Sequence, residues 1–215
     1  SLQAQNWQNA QGQIGHLGSG VFTFNAQQVE NTAGKVQTFG SAQWQLGGWD
    51  NTQGVVSIRG DGDANSAITL SEDWINEQGR LLVGGNDLTV TARGLYNNSL
   101  DDTQGVWHSG SGIWALTAKT LTNTAGKIGS AGDFKLTLNQ LENTGQINAH
   151  ALKLVTNTAT NNGQITLSDT AANSLDADVQ GDWINQKGKI TLAGGGLITA
   201  NRWDNTDGQL LAAGS

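Results

Sequence analysis

Trp49-Asp50-Asn51-Thr52-Gln53-Gly54-Val55-Val56 decides the fold, because it is one member of a series. It recurs as Trp7-Gln8-Asn9-Ala10-Gln11-Gly12-Gln13-Ile14, as Val29-Glu30-Asn31-Thr32-Ala33-Gly34-Lys35-Val36 and as Trp74-Ile75-Asn76-Glu77-Gln78-Gly79-Arg80-Leu81. It returns from Leu121 through Asn123 and Gly126 to Ile128, from Trp183 through Asn185 and Gly188 to Ile190, and from Trp203 through Asn205 and Gly208 to Leu210. The copies starting at Leu141 and Ala159 lack one residue before the glycine, and Leu95 to Val106 is a copy with inserted residues. That makes ten units whose starts lie 18 to 26 residues apart, most often 20. A period of this size is the mark of a solenoid or array, where each unit is one supersecondary element.

Each unit follows one grammar. An apolar residue, a polar residue and Asn lead to Gly, then to a short alternating run, a small-residue turn and a longer alternating run. Phe22, Phe24 and Ala26 alternate with polar neighbours, as do Leu88, Val90 and Ala92, and Phe134, Leu136 and Leu138. Alternation of period two with Thr, Val, Ile and Phe predicts half-buried strands, and no stretch shows a period of 3.6. A short strand cannot bury its apolar face alone, but stacked copies can. The expectation is an all-β fold, a parallel β-solenoid of about ten coils without significant helix. At ~4.8 Å per coil it forms a rod on the order of 50 Å long.

Stacking turns repeat positions into columns. The first position collects Trp7, Trp49, Trp74, Trp183 and Trp203, expected to pack in the interior or at a corner because buried aromatics carry large apolar area. A surface row of the same residues would instead form a glycan platform. The third position collects Asn9, Asn31, Asn51, Asn76, Asn123, Asn185 and Asn205, expected to form an amide ladder at the corner, where Asn also tolerates turn geometry.

Composition narrows the function. The chain has 215 residues, 30 of them Gly, with no Cys, Pro or Met. Its 11 basic and 18 acidic side chains give a formal charge of −7, which disfavours nucleic acid as a partner. Without Cys there is neither a disulfide scaffold nor a cysteine-ligated metal. No apolar run approaches the ~20 residues that span a bilayer as a helix.

The pattern apolar-x-Asn-x-x-Gly-x-Ile, a Gly turn and then Leu-x-Leu-x-Ala resembles the repeats of filamentous haemagglutinin and, more broadly, the large exoproteins of two-partner secretion. The resemblance covers essentially the whole chain. It implies a right-handed parallel β-helix, export through an outer-membrane two-partner secretion transporter, and a secreted or bacterial cell-surface location. The family's secretion domain carries an Asn-Pro motif; with no Pro here, residues 1–215 are expected to be an interior segment of a longer rod. The implied function is a structural stalk of a haemagglutinin- or adhesin-type exoprotein that presents a distal binding or toxic region to a host or bacterial target-cell surface. Alternatives are the stalk of a contact-dependent growth-inhibition effector or of an exported cytolysin and, more remotely, a carbohydrate-active pectate-lyase-like β-helix. The segment itself is expected to be a monomer with inert sides.

Function on a solenoid tends to sit where coils deviate. Three insertions stand out: 59–67, 99–104 with Asp101-Asp102, and 168–178. The first and third precede Asp73-Trp74-Ile75-Asn76 and Asp182-Trp183-Ile184-Asn185, related by an offset of 109 residues, as a duplicated block would be. The first contains Arg59-Gly60-Asp61, a candidate integrin-type cell-binding loop. It also contains Asp61, Asp63 and Asn65, with Glu72 at the twelfth position, an approximation to a calcium loop in which Ser66 replaces the turn glycine. Apart from this calcium candidate, no cofactor is expected. Nor is catalysis: His16, His108 and His150 are expected on separate coils with no shared column, and the second-position acids Glu30, Asp50, Glu142 and Asp204 are spread along the rod.

Overall fold

The computed structural model describes residues 1–61, 63–100 and 104–213, so Asp101 and Asp102 lie outside the described residues. Those residues form 25 strands and no helix. Every strand pairing is parallel, and the strands stack as a β-solenoid. Ten strands, from Gln13–His16 to Gln209–Ala212, make one sheet, so ten layers bound nine complete turns. The other 15 strands make a larger sheet that folds over two faces. In five coils this sheet is crossed by one long strand, as in Phe22–Glu30, Ala42–Asp50 and Leu175–Ile184. In the others the strand breaks in two, as at Leu88–Thr91 and Gly94–Asn98.

The register aligns the columns read from the repeat. Trp7 pairs with Val29, Val29 with Trp49, Trp49 with Trp74, and the series continues through Leu95, Leu121, Leu141, Ala159 and Trp183 to Trp203. Trp49, Trp74 and Trp183 are buried, while Trp7 and Trp203, in the outermost coils, pack partly exposed against the core. The Trp49 and Trp74 rings stack at 4.8 Å with 6° between planes. These tryptophans are core, and the glycan-platform arrangement is absent from this column. Opposite them, the smaller sheet contributes Val36, Val56, Leu81, Val106, Ile128, Ile147, Ile165 and Ile190, all buried. One apolar core therefore runs along the rod.

The asparagine corner is a continuous amide ladder. Asn9 Nδ2 donates to Asn31 Oδ1 at 2.8 Å, and the same bond repeats at 2.6–2.8 Å through Asn51, Asn76, Asn97, Asn123, Asn143, Asn161 and Asn185 to Asn205. All the bonds point the same way. Most of these amides also donate to the carbonyl of their own unit's glycine, as Asn31 does to Gly34 and Asn123 to Gly126. An unpaired buried polar group is costly, and the ladder pairs each amide with its neighbours. Asn97, Asn143 and Asn161 extend the ladder beyond the seven asparagines that match the full motif.

The turn at this corner departs from expectation in one respect. Asn does not take the left-handed backbone. The residue before Gly does: Gln11, Ala33, Gln53, Gln78, Ala125, Lys187 and Asp207 all have φ between 52° and 61°. Gly54 N donates to Asn51 O at 3.0 Å, so the four residues close a β-turn with positive φ at its third position. The short units at Asn143-Thr144-Gly145 and Asn161-Asn162-Gly163 omit this strained residue. The glycine serves space: a Cβ at Gly54 would strike the Asn31 carbonyl in the preceding coil and the Asn51 side chain.

Candidate functional site

Variation is concentrated where the chain leaves the smaller sheet for the next coil. There Arg59 is exposed and lies 5.6 Å from the centroid of the Phe39 ring, one coil back. Gly60 has φ +63° and packs against Gly85, while Asp61 is exposed. The tripeptide is thus partly anchored: its Arg covers an aromatic face, and its Gly is fixed by a close backbone approach.

The calcium candidates are not brought together. Asp61 and Asp63 precede the strand Ser66–Leu70, whereas Glu72 follows it. Five extended residues span roughly 16 Å. Asn65 Oδ1 accepts from Asp87 N at 3.1 Å, and Glu72 Oε2 accepts from Gln28 Nε2 at 3.2 Å. Asn65 and Glu72 thus face different coil neighbours, and among the described residues no group of three His or acidic side chains is placed to hold a metal.

Glu72 lines a groove of about 480 Å³ on the first-position corner, with Gln28, Glu30, Asp50, Asp73 and Arg93. Its one guanidinium is taken up by Asp73, through Arg93 Nε and Nη2 at 2.9 and 2.6 Å. That hydrogen-bonded pair holds the Asp73 carboxyl below its ordinary range and raises Arg93. The same clamp recurs 109 residues later, where Arg202 Nε and Nη2 meet Asp182 Oδ2 at 3.2 and 2.8 Å. The duplicated block therefore carries its own cross-coil ion pair, a feature readable in the sequence once Arg93 and Arg202 are compared at that offset. Further along the corner, the Thr206 hydroxyl and amide both donate to Asp204 and lower its carboxyl. Glu30, Asp50, Glu142 and Asp204 occupy one outward column, as expected, with only Glu30 and Asp50 on adjacent coils.

The histidines require a correction. His16 and His108 do share a column, through Thr38, Ile58 and Val83. Each meets a hydroxyl in the next coil: His16 Nδ1 lies 3.0 Å from Thr38 Oγ1, and His108 Nδ1 3.0 Å from Ser130 Oγ. The inserted residues at 59–65 and 99–104 obscure this register in the sequence. Burial lowers the His108 pKa, opposed by the Asn86 carbonyl and Asp87. His150 sits elsewhere, exposed, with Nδ1 3.0 Å from Asp133 and Nε2 3.9 Å from Asp169. His108 lies four coil spacings beyond His16, so the two imidazoles do not meet.

Solenoid geometry, ladder and loops set the frame for comparison with known proteins. The chain is similar to Toxin CdiA of Escherichia coli. The two are 30% identical over 209 aligned positions, covering 87% of this chain. The chain spans 6% of the length of that curated relative. No protein-family model matches the chain, and no solved structure gives a significant match.

Proposed function

We propose that these coils are a length of stalk in a large two-partner-secretion exoprotein, exported through an outer-membrane transporter and displayed outside the cell. The observation that carries this reading is the unbroken asparagine ladder, which keeps ten coils in one register. The work of such a segment is geometric: it sets the distance and orientation of a distal region. Export is helped because each emerging coil adds to a template already folded outside. We place the segment outside catalysis, and its own state in solution as monomeric. The likeness to a toxin favours a distal toxic region over a host-directed adhesive one as the cargo of the rod.

The test uses the full-length protein. Deleting residues 121–140 removes one unit and joins Thr120 to Leu141, which preserves the columns. A stalk so shortened is expected to be exported and to retain the activity of the distal region, with the rod shorter by ~4.8 Å. Loss of that activity in a folded, exported variant would overturn the spacer reading. Growth inhibition of neighbouring bacteria by the intact protein supports the toxin reading; attachment without inhibition returns the adhesin.

A further inference from the structure

On the outer face of the smaller sheet, three successive coils place Arg80, Gly105 and Lys127 in one column and Leu82, Trp107 and Gly129 in the next. Gly105 has φ +131°, and a Cβ there would strike the Lys127 carbonyl. Its missing side chain leaves a notch bracketed by two cations, which stand two coil spacings apart, ~10 Å along the rod. Lys127 Nζ lies 4.8 Å from the Trp107 ring centroid. A Cβ at Gly129 would come 2.8 Å from the same ring, so that glycine lets the indole lie close to the sheet. The resulting groove has a volume of about 330 Å³ and is also lined by Gln104. That is within the range of small-ligand sites.

Trp107 stands apart from the other tryptophans. Trp44, Trp49, Trp74, Trp114 and Trp183 are buried, and Trp7 and Trp203 pack against the core. Trp107 alone points outward from the middle of the rod, half-buried against Gly129 and Lys127 on the sheet's outer face. Neither Arg80 nor Lys127 has an ion-pair partner among the described residues, although acids outnumber bases 18 to 11 in the chain.

We propose that this groove binds an acidic saccharide, a sugar bearing a carboxylate of the uronate or sialate type. Arg80 and Lys127 receive the carboxylate, Arg through its planar fork and Lys as a point charge. Trp107 and Leu82 take the apolar C–H face of the ring. A neutral sugar lacks the anion, and an acidic peptide lacks the flat apolar face. The site does not depend on the stalk reading.

Calorimetric titration of the whole chain with trigalacturonate, sialyllactose, maltotriose and hexaglutamate tests it. Saturable binding of trigalacturonate or sialyllactose is expected, weakened by added salt. Trp107→Ala, Arg80→Gln and Lys127→Gln should each weaken it at least about tenfold, whereas Lys189→Gln, in the same column but distant from the groove, leaves it unchanged. All four positions are at the surface of a sheet whose core they do not enter, so an unchanged melting temperature verifies the fold. The proposal fails if neither acidic sugar binds, if maltotriose or hexaglutamate binds as tightly, or if Trp107→Ala leaves the affinity intact.

Discussion

At the asparagine corner nine of the ten coils turn with one or two residues between Asn and Gly, the coil of Asn97 being the long one. Where the chain leaves the smaller sheet, the connections run from two residues, 150–151, to seven, 59–65 and 168–174. The first corner is buried and its side chains bond across coils, so an inserted residue there would break contacts in two neighbours as well as its own coil. The second faces water, where lengthening a loop costs little because closure entropy grows only logarithmically. One corner holds the rod in register, and the other is free to vary.

The largest effect should come from the core beside the regular corner. Trp74→Ala removes a fully buried indole stacked on Trp49 and should cost ~3–5 kcal/mol in denaturant unfolding. A loss below ~1 kcal/mol would mean that the first-position column is not core. Next, Asn123→Ala breaks two ladder bonds and leaves the Asn97 amide and the Asn143 carbonyl oxygen short of a buried partner. The expected cost is ~2–4 kcal/mol, against roughly 1 kcal/mol for Asn205→Ala in the outermost coil. Equal costs at the two positions would refute a cooperative ladder.

Adjacent residues of the same turn should respond with opposite signs. Gly54→Ala drives a methyl into the Asn31 carbonyl and should destabilise by ~1–3 kcal/mol. Gln53→Gly relieves a left-handed residue and should be neutral or stabilising by up to ~1 kcal/mol. At the variable loops, replacing the seven residues 59–65 by a three-residue turn should change stability by less than ~1 kcal/mol, as thermal melts would show. A larger loss would make this loop part of the fold.

His108 supplies a pH test. Its folded-state pKa is lowered by burial, whereas the unfolded chain takes up the proton near pH ~6.5. The unfolded state therefore binds more protons as pH falls below that value, and stability drops from neutral pH toward the lowered folded pKa. Melting temperature should fall between about pH 7.5 and 5.5, and His108→Gln should flatten that slope.

The columns were legible in the sequence because the repeat fixes them: once Trp49-x-Asn51 and Trp74-x-Asn76 are aligned, the register follows. Asn143 and Asn161 were visible as shortened units, and Asn97 keeps the spacing from Leu95 despite the insertion that follows it. What the sequence hides is whatever depends on side chains meeting across irregular coils. The His16–His108 column is masked by loops of unequal length. Positive φ at Gln53 escaped notice because the tolerance of Asn for turn geometry invites the assignment to Asn51, while Gly54 is needed for clearance. Glu72 fitted a linear calcium motif only because a linear count takes no account of the strand between it and Asn65.

The ladder itself can be observed directly. Hydrogen exchange of the asparagine side-chain amides, followed by NMR on the uniformly labelled chain, reports each Nδ2 group separately. The account predicts slow exchange at Asn31, Asn51, Asn76, Asn97, Asn123, Asn143, Asn161 and Asn185, with protection declining toward Asn9 and Asn205. Fast exchange along the central asparagines, at rates like those of exposed Asn6 or Asn98, would contradict a rod held in register by this corner.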